Sequence, residues 1–138
     1  LNGLLADHLA LYMKTKNFHW HVKGPQFREL HLLFDEQAAE IFGNVDIIAE
    51  RVRKIEGTTL TSIASIMEKT KVEDQHSADL EAMDMVSQLR DDNAQMVKTL
   101  KELKELAEEA GDNATDGLID DWTDQAEERT WFLASTLG

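Results

Sequence analysis

The chain of 138 residues is the length of one domain, and 42 % apolar residues suffice to fill a core, which excludes global disorder. Cysteine is absent, so disulfide scaffolds, thiolate metal sites and cysteine nucleophiles are excluded. Asp and Glu number 27 against 14 Lys and Arg, and the resulting net charge of −13 repels nucleic-acid phosphates and attracts cations. A single proline and seven glycines leave few breakers, which favours long helices. Residues 2–22 carry Leu4, Leu5, Leu9, Tyr12, Met13 and Phe18 at helical spacing, a candidate buried stripe. The Gly24-Pro25 pair then marks a corner, with proline in the first turn of the second helix. Residues 26–56 read as one long amphipathic helix with Phe27, Leu30, Leu33, Phe34, Ala38, Ile41, Val45, Ile48, Ala49 and Val52 inward, stopped by Gly57.

Residues 58–76 are rich in Thr and Ser around the apolar Ile63, Ile66 and Met67, and predict a connection holding one short helix. Its length exceeds a tight helix–helix loop, so it is expected to cross from one end of a bundle to the other. Ser77 is the expected N-cap of a third long helix carrying Leu80, Met83, Val86, Leu89, Val97, Leu100, Leu103, Ala107 and Ala110 and ended by Gly111. On its outer face Lys98/Glu102, Lys101/Glu105 and Lys104/Glu108 are opposite charges four apart. The last helix is expected over residues 115–136, with Leu118, Ile119, Trp122, Ala126, Leu133 and Leu137 inward. The fold class is therefore all-α: a single-domain, ferritin-like four-helix bundle over 1–138, with a short extra helix in the long crossover between helices two and three. No apolar run approaches the ~20 residues of a membrane span. The expectation is a soluble cytoplasmic protein with no membrane partner.

The chemistry lies in His19, His31, Asp35, Asp46 and Glu50. His31/Asp35 and Asp46/Glu50 are each four apart on the second helix, so each pair projects from one face, and the eleven-residue step from Asp35 to Asp46 keeps the two faces within roughly 20°. His19 reaches the first pair from across the Gly24-Pro25 corner. The midpoints of the pairs lie fifteen residues, or roughly 22 Å, apart, whereas ligand bonds to a metal are ~2 Å. One ion cannot meet both pairs in one chain. A second copy laid antiparallel on a twofold axis near Glu40 and Ile41 would set His31/Asp35 of one chain opposite Asp46/Glu50 of the other, making two equivalent shared sites. Two imidazoles with up to three carboxylates suit Fe(II), with Mn(II) or Zn(II) as surrogates, and the hard anionic oxygens favour the ferric state.

A single acidic pair on a helix normally marks a solvated face; here five residues satisfy one geometric condition together. Other donors fit less well. His21 points about 200° from His19 and Glu36 about 140° from His31. Glu73-x-x-His76 imitates a di-iron motif, but it stands alone in the connection.

Asn17-Phe18-His19-Trp20-His21-Val22-Lys23-Gly24-Pro25-Gln26-Phe27, followed by His31, Asp35 and Asp46-Ile47-Ile48-Ala49-Glu50-Arg51, closely resembles the Dps family, the mini-ferritins also called DNA-binding proteins from starved cells. The pattern His-Trp, ten residues, His, three, Asp, ten, Asp, three, Glu carries the resemblance, which extends through Ala110-Gly111-Asp112 to Trp131. It implies a hollow dodecamer that oxidises Fe(II), preferably with hydrogen peroxide and otherwise with O2, and stores ferric mineral, protecting against oxidative stress. It implies inter-subunit ferroxidase centres with His19, His31 and Asp35 from one chain and Asp46 and Glu50 from the other. Trp20 would be the redox-active neighbour of that site, with core packing as the plainer alternative. The resemblance also suggests that Asp112, Asp116, Asp120 and Asp121 line a threefold iron inlet; Glu36 and Glu40, near the proposed inner wall, are candidates for nucleating mineral. The family name invites nucleoid association. Against it, residues 1–30 carry a net charge of only +2 and no lysine-rich tail. A DNA-protecting structural protein with secondary iron chemistry, and a bundle serving only as an interaction module, are the rival readings.

Overall fold

The computed structural model describes all residues, 1–138. It contains six helices and no strand: α1 (Asn2–His21), α2 (Phe27–Gly43), α3 (Val45–Lys54), α4 (Ile63–Lys69), α5 (Ala82–Glu109) and α6 (Asn113–Leu137). Taken as one rod, α2 and α3 form a four-helix bundle with α1, α5 and α6. The dominant packing is α1 on α2 and α5 on α6, and α4 lies against α1. Leu4, Leu11, Phe18, Phe34, Ile41, Ile48, Met85, Leu89, Leu100, Ile119, Trp122 and Leu133 are fully buried along its axis.

The second helix is not continuous. Asn44 interrupts it: its N–H donates to Ile41 O at 3.2 Å, one residue short of the helical partner, and regular bonding resumes with Ile48 N–H to Asn44 O at 2.9 Å. Asn44 is buried, and its Nδ2 donates to Gln125 Oε1 at 2.7 Å. At the far end of α3 the left-handed residue is Glu56 (φ 68°) and not Gly57. Glu56 N–H donates to Arg53 O and Gly57 N–H to Val52 O, the two bonds of a Schellman stop. A Cβ at 57 would meet Val52 Cγ1 at 3.0 Å and Val52 O at 3.2 Å, so glycine lets the chain pass close to Val52. Gly111, at φ 68°, closes α5 with the same bond pair, to Glu108 and Ala107.

Ser77 does not cap the third long helix. That helix begins at Ala82 after Glu81, and the Ser77 hydroxyl instead accepts from Asp79 N–H. The reason is that residues 55–81 are fastened along α1 from end to end. Asn2 donates to Thr58 O, buried Asp7 accepts from Thr70 Oγ1 and Lys71 N–H, Asn17 donates to Gln75 O and Lys23 pairs with Asp79. These bonds hold the chain extended past Ser77, and the crossover spans the bundle's length as expected. Pro25 precedes the first turn of α2, with Gln26 as N-cap. Met13, expected inward, is 57 % exposed, and Phe27 is also exposed. Of the three Lys/Glu pairs expected on α5, only Lys104–Glu108 comes within ion-pair range, and its 3.9 Å is long because Lys104 turns mainly to α6.

Polar groups the pattern does not single out tie the helices together. Buried Arg129 on α6 donates to Asn93 Oδ1 on α5 at 2.8 Å and to Glu40 Oε1 on α2 at 2.6 Å. Lys14 and Asp92 form a largely buried pair at 2.8 Å between α1 and α5. His8 is fully buried: its Nδ1–H donates to Leu4 O at 2.9 Å and its Nε2 has no partner. Burial, reinforced by the charge of Arg129 and only partly opposed by the Leu4 bond, pushes this imidazole down to about 4. Between that value and the ordinary ~6.5 the unfolded chain binds a proton that the folded chain refuses, so stability falls as pH drops through this window, by up to about 3 kcal/mol. Urea unfolding between pH 7 and pH 4 is expected to show this loss, reduced in His8→Gln; identical slopes in parent and variant would contradict it.

Candidate metal centre

The Gly24-Pro25 corner folds the end of α1 onto the start of α2, and His19 and His31 meet there. Their rings stack with centroids 4.0 Å apart. His19 Nδ1 lies 2.7 Å from His31 O, and His31 Nδ1 lies 2.8 Å from His19 O. A carbonyl only accepts, so each Nδ1 carries a hydrogen and donates it. In the neutral ring the lone pair then sits on Nε2, the form that binds a metal. His19 O belongs to the last turn of α1, where carbonyls lack helical partners, so the His31 ring also caps that helix. Phe27 stacks on the other face of His31, at 5.0 Å.

His19 Nε2 is 3.7 Å from Asp35 Oδ1, so the structure brings His19, His31 and Asp35 to one place. Asp35 is half exposed and its Oδ1 accepts from Lys16 Nζ at 2.9 Å; that hydrogen bond, opposed by desolvation and reinforced by the Lys16 charge, holds its carboxyl below the usual carboxylate range. Lys16 also stands 5.8 Å from the Trp20 ring centroid. Trp20 is 54 % exposed, so core packing is not its role within the protomer.

Asp46 and Glu50 lie exposed on α3, beyond the Asn44 break, and make no hydrogen bond or ion pair within the chain. Within one protomer no three His, Asp or Glu side chains converge closely enough to hold an ion. The donors form two separate groups, one rich in imidazole and one of carboxylates alone. His21 turns back to Asn17, and residues 73–76 are not helical, so Glu73 and His76 do not share a helix face.

The four aspartates suggested for an inlet are engaged in different ways. Asp112 caps α6: it accepts from Thr115 N–H at 3.1 Å, from Thr115 Oγ1 at 2.5 Å and from Arg51 Nη2 at 2.8 Å. These bonds, those from Thr115 foremost, hold its carboxyl below the usual range. Lys104 Nζ joins Asp116 Oδ1 at 2.5 Å and Asp120 Oδ1 at 2.7 Å, which raises the lysine above its ordinary value. Asp121 accepts from Gln125 Nε2. Glu40 is paired with Arg129. Exposed Glu36 lines a cavity of about 120 Å³ with Gln37, Glu40, Glu128 and Arg129.

Comparison with known proteins identifies the family to which this fold is similar. The family model of the ferritin-like domain matches residues 1–138. The "DNA protection during starvation protein" of Brevibacillus brevis is 35 % identical over 137 residues, covering 99 % of this chain and 91 % of that protein. The crystal structure of a Dps protein from Bacillus brevis superposes with a TM-score of 0.95 at 34 % identity, covering 99 % of this chain and 91 % of that one. The Dps protein of Vibrio cholerae O1, described as a member of a broad superfamily of ferritin-like diiron-carboxylate proteins, superposes with a TM-score of 0.94 at 26 % identity, over 99 % and 86 % of the two chains.

Asp112 is a structural residue in this arrangement. Asp112→Ala is expected to lower stability by about 1–2 kcal/mol through loss of the cap, whereas Asp112→Asn retains most of it. Thermal unfolding checks this, and an unchanged Asp112→Ala midpoint would show that the corner holds without the carboxylate.

Proposed function

The chain belongs to the Dps family of ferritin-like proteins, and on that premise we propose that it oxidises Fe(II) at centres shared between two chains and stores the ferric product inside a dodecameric cage. The observation that carries this reading is the division of the donors. His19, His31 and Asp35 are gathered at one corner, Asp46 and Glu50 stand apart on α3, and no complete set exists in one protomer. The donor chemistry fits iron: neutral imidazole Nε2 atoms bind Fe(II), and carboxylates stabilise the charge gained on oxidation. Hydrogen peroxide is the proposed oxidant, with O2 as the alternative. Each peroxide takes one electron from each of two Fe(II) ions, its O–O bond breaks, and with two protons it leaves as two waters. Lys16 holds Asp35 in the meantime and must release it when the ion arrives. Trp20, next to His19 and exposed, is proposed as a nearby residue able to give up an electron.

Pairing of chains is supported by the surface around α3. A groove of about 370 Å³ between α1, α3 and α4 is lined by Leu5, Leu9, Val45, Ala49, Leu60 and Ile66. Ile47, Ile63 and Met67 are exposed nearby in the chain. Contiguous apolar surface of this kind marks protein–protein contact. Asp116 and Asp120, which share the one Lys104 and so keep a net negative charge, and Asp121 remain proposed as cation-attracting residues at an inlet, with Asp112 held in the α6 cap one turn before Asp116. A cytoplasmic location is part of the proposal; no helix is long and apolar enough to cross a membrane.

Stopped-flow mixing of Fe(II) with peroxide is expected to show oxidation well above the uncatalysed rate. In the double variant His31→Ala/Asp35→Ala the rate should fall at least about tenfold; equal rates in parent and variant would remove the proposal. The net charge of −13 favours iron chemistry over duplex binding. A gel-shift titration of this chain at physiological salt is expected to show no complex, and a salt-sensitive shift would favour the DNA-protecting reading.

A further inference from the structure

Helix α3 carries two of the five proposed ligands and is the least continuous part of the bundle. It has ten residues, starts at the Asn44 break and ends in the Glu56-Gly57 stop. Its orientation therefore does not follow from α2 alone. Buried Ile48 and Val52 seat it in the core beside α1, and two polar attachments to α6 add direction. At one end Asn44 Nδ2 donates to Gln125 Oε1 at 2.7 Å. At the other, Arg51 Nε donates to Thr115 Oγ1 at 2.8 Å and Arg51 Nη2 to Asp112 Oδ1 at 2.8 Å. Asn44 and Arg51 are seven residues apart and so share one stripe to within roughly 20°, while Asp46 and Glu50 lie roughly 100–160° around the helix from it. The helix is pegged along one face and presents its carboxylates from another.

We infer that Arg51, together with Asn44, is a positioning residue for iron oxidation: it sets the rotation of α3, and with it the place of Glu50 and Asp46 against the histidine-bearing half-site of a second copy. This inference rests on the shared-site reading above. The lever is short and sensitive. A carboxylate head sits about 6 Å from the helix axis, so a 10° turn of α3 moves it by about 1 Å, beyond the ~0.5 Å within which a working site must be held. Arg51 suits this task because its planar fork bonds two acceptors at once, which fixes direction as well as distance; a lysine ammonium fixes neither. Both acceptors are themselves rigid, since Asp112 and Thr115 bond each other in the α6 cap. Arg51 and Asn44 touch no metal in this scheme and act only through Glu50 and Asp46.

The test uses the assembled protein, with Co(II) as a non-oxidisable probe read by its visible absorption, alongside Fe(II)–peroxide kinetics, native mass and thermal unfolding. Arg51→Lys and Asn44→Ala are expected to assemble like the parent, to bind Co(II) about tenfold more weakly and to show an altered visible band. The Fe(II) oxidation rate should fall about tenfold. Lys14→Met, which breaks the buried Lys14–Asp92 pair away from α3, serves as the stability control: its midpoint should drop while the Co(II) band stays as in the parent. Parent-like Co(II) affinity and spectrum in both α3 variants would overturn the inference. Failure of both to assemble would overturn it too, since the attachments would then serve the fold and not the site. If instead the parent and His31→Ala bind Co(II) alike, the shared-site reading itself fails.

Discussion

The reciprocal bonds between His19 and His31 are the constraint on which the candidate centre depends. Each imidazole donates its Nδ1–H to the other residue's backbone carbonyl, so one pair of bonds does three things. It closes the Gly24-Pro25 corner, satisfies a carbonyl stranded in the last turn of α1, and leaves the Nε2 lone pairs as the free donors. Orientation and tautomer are thus fixed by the fold, before any ion is present. The same constraint limits the corner: held in a stack, the two rings have Asp35 as their carboxylate neighbour, and the α2–α3 rod cannot bring Asp46 or Glu50 back across three turns.

Charge is distributed to match. The acidic excess is large, yet the carboxylates the fold depends on are paired: Asp112 with Arg51, Glu40 with Arg129, Asp92 with Lys14, Asp116 and Asp120 with Lys104. Asp46 and Glu50 are unpaired on the exposed face of α3. Desolvating them against a second chain without a counter-charge would be costly, and in the proposed shared site a divalent cation held by the opposing imidazoles would supply that charge. Assembly and metal binding are coupled in this account, each lowering the cost of the other.

The bundle, its long crossover and the five-residue pattern are legible in the sequence because they rest on helical periodicity, which is local. What is not legible depends on partners distant along the chain. Gly43 and Asn44 are both tolerated inside a helix, and nothing nearby reveals that Gln125 draws Asn44 into a break. Ser77 is a good capping residue in isolation, but the ties between the crossover and α1 carry the chain past it. Asp112 resembles its acidic neighbours until Arg51 and Thr115 are seen to hold it. Periodicity marks neither His8 nor Arg129 as a buried polar group; the Asp-x-x-Ala-Glu-Arg motif displays Arg51 openly, yet its hold on the α6 cap appears only in three dimensions. Met13 and Trp20 err in the opposite direction: their apolar character suggests a core, and their exposure fits surface awaiting another chain.

The most direct measurement is the position of a bound ion relative to two copies of the chain. Anomalous diffraction from crystals soaked in Fe(II) under anaerobic conditions should give a peak about 2 Å from imidazole Nε2 atoms of one chain and from the Glu50 carboxylate of another. An ion coordinated wholly by one protomer, or no peak at that junction under saturating iron, would contradict the account.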